Sequence, residues 1–363
     1  MTSINLRKAI YNGARWLLNQ VIRRYIPFFS ACVAAVIGRT MICLIRKKYG
    51  EKTHLLFSRG ATGDIYLQAM LFENWLRENH VQQYLIVGDA RQMNAIMKLF
   101  PGVSYYYVRG YFSLCIEKAF MLWGGQELNM TILFPWTYSL YVNRCRVRMV
   151  PPFTFMDTYQ WYVFDLHEKA TLHLPCFPEI SSRIWKKKGV VEGRTVIISP
   201  EANSVTGLKV SFWNDIIIEL QNMGYQVFVC NKDTKGYQAA RLFFNYEQGK
   251  SLLEYSGYFL GIRSGLCDII STAKCRKIIL YPAAGSGLDY NHHRTEMDFC
   301  GLRAMGLVTD EEDLFEIDSI VMRNITQEKS EINCSIEEQY EYDKLRTRIL
   351  GCYTQWMKEN ERK

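Results

Sequence analysis

The chain of 363 residues is 48% hydrophobic and 22% charged, which describes a globular protein whose length suits two domains better than one. Its eleven cysteines include no CxxC pair and follow no regular spacing, which argues against a zinc ribbon and indicates reduced thiols in a cytosolic compartment. The net charge of +8 resides in the N-terminus, because residues 1–50 hold nine basic residues and no acidic one. This block argues against a nucleic-acid partner and favours an anionic membrane surface.

Residues 1–50 are predicted to form a basic helical segment that associates with a membrane. Apolar residues recur at three- and four-residue spacing from Leu6 to Tyr25, which predicts a basic amphipathic helix of about five turns. The apolar stretch 27–45 is short for a membrane span and contains Arg39. We expect it to lie on, or dip into, the cytoplasmic face of a membrane. A true span and ordinary packing on the soluble body are the alternatives.

From Thr53 onward, short apolar strands alternate with amphipathic helices, which predicts a parallel, doubly wound sheet. The first strand–helix turn, SRGATGDIY, contains Gly63 and Asp64. The residues alone favour Asp64 as a helix cap, because aspartate often caps an apolar helix. The alternative is a carboxylate placed to take a proton from a hydroxyl group.

Residues 130–185 are less regular and rich in aromatic residues and prolines, so we expect them to connect two domains. Within the stretch NRCRVRM, a strand would place Arg144, Arg146 and Arg148 on one face. Such a face is either an exposed edge strand or a contact for the phosphate of an acceptor substrate.

A second α/β run begins at Thr195, and its first strand–helix loop is a candidate phosphate site. This loop, SPEANSVTGLKVSFW, exceeds the usual length of about 2–6 residues and offers Ser204, Thr206 and Lys209. Hydroxyl groups and a lysine ahead of a helix suit phosphate oxygens. A mobile surface loop is the alternative.

The later loop GIRSGLCD is a second candidate for binding an anion. Gly265 allows close approach of a ligand to the backbone, and Ser264 adds a hydroxyl group at a helix N-terminus. Arg263 could pair with a diphosphate or with a neighbouring acid, and Asp268 could cap amides, contact a sugar hydroxyl or hold Arg263. The loop matches neither GxxxxGK[ST] nor GxGxxG, which argues against an ATPase and a dinucleotide-dependent oxidoreductase.

Together these loops resemble those of the heptosyltransferase-type glycosyltransferases, the ADP-heptose:lipopolysaccharide family. The stretch LLFSRGATGDIYLQAM is similar to the motif that opens the family's first domain, with Gly63 and Asp64 in the Gly-Asp position. The stretch VIISPEANSVTGLKVSFWNDII is similar to the start of its second domain, with Lys209 and Trp213 in the corresponding positions.

The donor loop of that family is matched in part. The stretch GIRSGLCDIISTA agrees with it at Gly261, Ser264 and Gly265. It departs from the family at Arg263, where the family has an acid, and at Asp268, where the family has histidine. These departures leave the donor sugar and its nucleotide open.

The resemblance implies the GT-B architecture, in which two Rossmann-like doubly wound domains face a cleft. We expect a membrane-associating segment in residues 1–50 and an acceptor domain with the connection in residues 51–185. A nucleotide-sugar domain would follow in residues 186–332, and a C-terminal helix in residues 333–363 would pack back across the first domain.

The resemblance also implies an inverting transfer of a sugar from a nucleotide-sugar, independent of a metal and without a cofactor. Asp64 would be the catalytic base. The donor would be bound by Ser204, Thr206, Lys209, Arg263, Ser264, Gly265 and Asp268. The acceptor side would include Gly63, Arg144 and Arg146.

We expect a glycan or lipid-linked acceptor in bacterial surface polysaccharide synthesis, with the enzyme peripheral or monotopic at the cytoplasmic face of the membrane. A nucleotide-sugar epimerase of the same architecture is one alternative. A non-catalytic scaffold protein of a polysaccharide assembly complex is the other.

Overall fold

The computed structural model of the protein describes the residue ranges 27–58, 60–89, 93–133, 153–202, 207–230, 236–281, 296–308, 313–317 and 336–361. Its contacts divide the chain into two compact units. The first unit consists of Met1–Arg59, Leu76–Met93 and Gly102–Phe134. The second unit consists of Gly60–Trp75, Asn94–Pro101 and Pro135–Lys363.

In residues 27–133 each strand is separated from the next by one or two helices. In chain order the elements are α1 (Pro27–Tyr49), β1 (His54–Ser58), α2 (Thr62–Ala69), α3 (Phe72–Glu78), β2 (Tyr84–Gly88), α4 (Met93–Met97), β3 (Tyr105–Tyr107), α5 (Gly110–Glu127) and β4 (Met130–Ile132).

Residues 153–361 continue the alternation after a short helical segment. In chain order the elements are α6 (Phe155–Asp157) with a π-helical continuation (Thr158–Val163), α7 (Arg183–Lys187), β5 (Thr195–Ser199), α8 (Val210–Asn222), β6 (Gln226–Val229), β7 (Ala240–Arg241), α9 (Tyr246–Ser256), β8 (Gly257–Ile262), α10 (Gly265–Ile269), β9 (Arg276–Leu280), α11 (Glu296–Cys300), β10 (Leu314–Ile317) and α12 (Ile336–Glu361).

The first unit is built on a four-stranded parallel sheet of order β3-β2-β1-β4. Leu55 of β1 lies between Leu85 of β2 and Met130 of β4, so apolar side chains line up across the sheet. Helices α1 and α5 cover it, and Ile42 and Ile116 join the same buried cluster. The predicted parallel sheet is confirmed in this unit.

Helix α1 packs as part of this core along one side. Ala34, Ala35, Ile42 and Ile45 are buried. At Gly38, α1 and α5 touch so closely that a Cβ atom on this glycine would lie 2.0 Å from the carbonyl oxygen of Cys115. The inner side of α1 therefore packs on the body of the protein, which was one of the alternatives in the sequence analysis. Membrane contact stays a prediction.

Among the described residues, no helix combines the length and the apolar character needed to cross a membrane. The amphipathic helix expected between Leu6 and Tyr25 lies outside the described residues.

The second unit contains a six-stranded parallel sheet of order β10-β9-β8-β5-β6-β7. Its central strand β5 is buried at every position, as expected for a strand covered on both faces. The predicted fold class, parallel sheets alternating with helices, is confirmed. How the two sheets face each other stays a prediction.

The C-terminal helix α12 packs on the second sheet. Tyr353 and Trp356 of α12 share one buried cluster with Trp213 and Ile217 of α8 and Tyr258 of β8. The sequence predicted that this helix packs back across the first domain. Its buried side chains instead pack on the second sheet, which corrects that prediction. Periodicity predicts that a helix has an apolar stripe, but it does not identify the sheet on which that stripe packs.

Candidate functional site

The second sheet reverses its strand order between β5 and β8. Strands β6 and β7 continue on one side of β5, whereas β8, β9 and β10 lie on the other. Open parallel sheets bind ligands beyond the carboxyl ends of their strands at such a reversal. The two loops that follow β5 and β8 are the two candidate phosphate loops of the sequence analysis.

Four of the predicted site residues lie outside the described residues. Ser204 and Thr206 belong to the loop after β5, and Arg144 and Arg146 to the segment before α6. Their assignments to donor and acceptor stay predictions.

Lys209 is found at the N-terminus of α8. It is the residue before the helix, and its Nζ lies 5.7 Å from the ring centroid of Tyr342, over the face of the ring. It lines a pocket together with Asp215 of α8 and Arg346 of α12. The described contacts thus place this lysine against the C-terminal helix, and its role towards a donor stays a prediction.

Arg263 lies in the turn after β8 and is held by three contacts, two within the turn and its helix and one to the end of α11. Its Nε donates to the Cys300 carbonyl oxygen at 2.8 Å, and one Nη donates to the Ser264 carbonyl oxygen at 2.6 Å. Its other Nη donates to Asp268 Oδ1 at 2.5 Å, in an ion pair whose side chains are only 11% and 4% exposed. Of the three possibilities for Asp268, the structure therefore shows that it holds Arg263.

Burial and the contact between the two side chains shift the pKa values of Asp268 and Arg263. Burial raises the pKa of Asp268, although the neighbouring Arg263 pulls that pKa down. Burial also opposes the charge of Arg263, but Asp268 acts together with Tyr281, Cys300 and Cys267, and their combined effect raises the pKa of the guanidinium. Asp64 contributes a smaller increase to the pKa of Asp268, which shows that the two carboxylates are close enough to interact.

The N-termini of α2 and α10 meet backbone to backbone through two glycines. A Cβ atom on Gly265 would lie 2.5 Å from the backbone nitrogen of Gly63. A Cβ atom on Gly63 would lie 2.5 Å from Asp268 Oδ2. The sequence analysis explained Gly265 by the approach of a ligand; in the structure, its missing side chain makes room for Gly63.

Asp64 lies in the first turn of α2 with both carboxylate oxygens engaged. Its Oδ2 accepts a hydrogen bond from the backbone N–H of Ala61 at 2.7 Å, which caps the helix from its third position. Its Oδ1 accepts from the hydroxyl group of Tyr159 at 2.6 Å. The residues predicted Asp64 just before the helix as its N-cap, but Ala61 holds that position and Asp64 contributes from inside the first turn. The two contacts fix the direction of the carboxylate, and the role as a base stays a prediction.

Tyr159 is the site residue that the sequence analysis missed. It lies in the π-helical continuation of α6, is fully buried, and its ring meets that of Phe155 at 5.1 Å. Single π-helical turns are frequent at functional sites. The abundance of aromatic residues in 130–185 was a signal, but no spacing rule distinguishes Tyr159 from its aromatic neighbours.

Ser264 precedes α10 in an extended conformation, with φ −153° and ψ 170°. Its Oγ lies 3.8 Å from the Sγ of Cys267. Within the described residues, no group of three or more His, Cys, Asp or Glu side chains is arranged to hold a metal ion.

The chain is similar in structure to E. coli ADP-heptose lps heptosyltransferase II, with 13% identity and a TM-score of 0.46 over 73% of this chain and 90% of that one. It is similar to a family 9 glycosyl transferase from Veillonella parvula, with 11% identity and a TM-score of 0.44 over 73% and 85%. S. aureus MnaA with UDP is a third similar structure, with 10% identity and a TM-score of 0.39 over 71% and 89%.

These neighbours include the heptosyltransferases that the loops resemble. No protein-family model and no curated protein matches the sequence. Identities and TM-scores this low leave the function to be inferred from the residues of the chain itself.

Proposed function

We propose that the protein is a glycosyltransferase that moves a sugar from a nucleotide-sugar donor onto a hydroxyl group of a glycan or lipid-linked acceptor. The contact between the Gly63–Asp64 turn and the Ser264–Gly265 turn supports this proposal most directly. Sugar transfer needs a carboxylate near the attacking hydroxyl and stabilisation of the departing diphosphate. The two turns that resemble these parts are far apart in the sequence, yet their backbones touch in the structure.

The proposed reaction is a single displacement at the anomeric carbon. Asp64 accepts the proton of the acceptor hydroxyl, whose oxygen forms the new bond to the anomeric carbon from the side opposite the diphosphate. The bond to the diphosphate oxygen breaks, and the leaving group keeps the electron pair. A single displacement inverts the configuration. We propose that it proceeds without a metal ion or cofactor.

The growing charge on the diphosphate is assigned to groups around the turn after β8. In this proposal the backbone N–H of Gly265 and the hydroxyl group of Ser264 face the phosphates, with Lys209, Ser204 and Thr206 contributing from the loop after β5. The contacts of Arg263 with Ser264, Cys300 and Asp268 support a role in holding the turn, with its charge balanced by Asp268.

We further propose that the acceptor is met at the cytoplasmic face of a membrane, in bacterial surface polysaccharide synthesis. The support is the charge of residues 1–50, which hold nine basic residues and no acidic one. Such a segment is attracted to the anionic lipids of a cytoplasmic leaflet.

A thermal-shift screen against UDP, GDP, ADP and CMP sugars tests the donor part of this proposal. A donor present at about 100 times its Kd is expected to add about 2.7 kcal/mol to the free energy of unfolding. The donor that shifts the transition is then incubated with and without glycan acceptors. Conversion of the donor alone would indicate an epimerase, and binding without any turnover would indicate a scaffold protein. A flat response to all four donor classes would contradict the proposal.

Tyr159→Phe tests whether the direction of the Asp64 carboxylate matters for turnover. The substitution removes one hydroxyl group and keeps the buried ring, so we expect the fold to be retained. A hydrogen bond to a charged group contributes about 1.5–3 kcal/mol, so kcat is expected to fall about 10- to 100-fold with KM for the donor nearly unchanged. Tyr162→Phe, at a 40% exposed position of the same segment, is the matched control. Equal kcat values in both variants would rule out this role of Tyr159.

A further inference from the structure

Helix α1 carries a line of exposed side chains on the side opposite its buried residues. Val33, Val36 and Leu44 are 44%, 56% and 56% exposed, although all three are apolar. Thr40 and Lys47 are exposed as well. Positions 33, 36, 40, 44 and 47 follow the three- and four-residue spacing that places side chains on one side of a helix. These five residues are called the outer stripe.

The exposed surface of the outer stripe is mostly apolar. The hydroxyl group of Thr40 donates to the Val36 carbonyl oxygen at 2.9 Å, so its polar atom is engaged within the helix. Helix α5, which packs against α1, also carries two exposed apolar residues, Met121 at 45% and Leu122 at 55%. An exposed apolar surface of this kind marks an interaction site more often than isolated exposed residues do.

The charges around the outer stripe identify the kind of partner. Arg39 forms an ion pair with Glu127 at 3.0 Å, and Arg46 donates to backbone carbonyl oxygens at the end of α5, so both are committed within the first unit. Lys47 and Lys48 are exposed at the C-terminal end of the stripe. At its other end, α1 is joined to residues 1–26, which add five basic residues and no acidic one.

We propose that the outer stripe rests on an anionic lipid surface, with α1 lying in the plane of the membrane. From Val33 to Lys47 the stripe is about 21 Å long at 1.5 Å per residue. Apolar side chains of such a helix enter the boundary between headgroups and acyl chains, and lysines reach the lipid phosphates. This inference deepens the membrane location proposed above, because it names the side of the protein that meets the lipid.

A second copy of the chain is a poorer occupant of the same surface. Two outer stripes placed face to face would provide no carboxylate from either stripe to balance their lysines. Anionic lipid headgroups supply that balance, and each lysine near such a surface strengthens binding by a factor of about 5.

Flotation of the full-length protein with vesicles tests this inference. The vesicles contain phosphatidylcholine with or without phosphatidylglycerol. Val36→Glu/Leu44→Glu is expected to reduce partition into the anionic vesicles about 100-fold, because two apolar contacts are lost and two negative charges are added. Val191→Glu/Ile218→Glu makes the same kind of change at 48% and 38% exposed positions of the second unit and is expected to float like wild type.

A second variant removes charge and leaves the apolar residues in place. Lys47→Ala/Lys48→Ala is expected to weaken partition about 30-fold on vesicles with phosphatidylglycerol and hardly at all on phosphatidylcholine alone. Circular dichroism is expected to show an unchanged fold for all variants, since the substituted side chains are exposed. Should the glutamate variant fail to fold, the lysine variant still decides the question.

Several outcomes would overturn the inference. Equal flotation of the two glutamate variants would place the lipid contact elsewhere in the chain. Self-association of wild type in light scattering, lost in Val36→Glu/Leu44→Glu and without vesicle binding, would identify a second copy as the partner. The assay contains neither donor nor acceptor, so a failure of the proposed sugar transfer would leave this result unaffected.

Discussion

Asp64→Asn is expected to reduce sugar transfer about 100- to 10,000-fold, the usual contribution of a positioned general base, while donor binding stays close to wild type. The amide group has the shape of the carboxylate and can keep both local contacts. Its oxygen can accept from Ala61 N–H, and its NH2 group can donate to the Tyr159 hydroxyl oxygen. What the variant loses is the ability to take a proton from the acceptor.

The measurement is the initial rate of transfer with the donor identified by thermal shift, together with the donor Kd. Glu219→Gln, which removes one negative charge from an exposed position of α8, is the matched control and is expected to keep full activity. Wild-type turnover in Asp64→Asn would remove Asp64 from the mechanism and leave it as a helix cap alone. Loss of donor binding would show instead that the carboxylate acts through the fold of the turn.

Asp268→Asn is expected to lower the free energy of unfolding by about 3–5 kcal/mol, because it leaves the buried charge of Arg263 without its partner. The Arg263 side chain is 11% exposed, so water replaces little of the lost interaction. Urea unfolding of the variant measures this change. Lys98→Met is the matched control: it breaks an ion pair with Glu247 at 3.5 Å whose lysine is 59% exposed, and is expected to cost at most about 1 kcal/mol.

The double variant Arg263→Met/Asp268→Asn removes the buried charge as well. It is expected to recover part of the stability lost in Asp268→Asn, since the remaining groups are neutral. A loss in Asp268→Asn no larger than that of the Lys98→Met control would show that the Arg263 charge is stabilised without Asp268.

The two sheets could be predicted from the sequence because their signal is local. Short apolar runs such as His54–Ser58 and Thr195–Ser199, each followed by a helical pattern, define parallel strands without reference to the rest of the chain. The side of α1 that is buried could not be predicted in the same way. Ile42 and Leu44 are similarly apolar, yet one is fully buried and the other is 56% exposed.

In the candidate site, too, local features could be predicted and contacts between remote residues could not. That Asp64 would help to cap its own helix was predicted from neighbouring residues, although the helix begins before it and Ala61 is the N-cap residue. The contact of Gly63 with Gly265 joins two turns that are remote in the sequence, and a glycine gives no sign of what will approach it. Tyr159 reaches Asp64 through a π-helical turn, whose register differs from the α-helical spacing used to read sequences.

The glycine contact also has a mechanical meaning. Because backbone meets backbone between Gly63 and Gly265, neither turn has a side chain whose rotamer could absorb a movement of the other. A ligand that displaces the Ser264–Gly265 turn by a few tenths of an ångström must therefore carry the first turn of α2, and Asp64 with it. If the proposed roles of the two turns are correct, binding of the donor and alignment of Asp64 towards the acceptor are coupled through this contact.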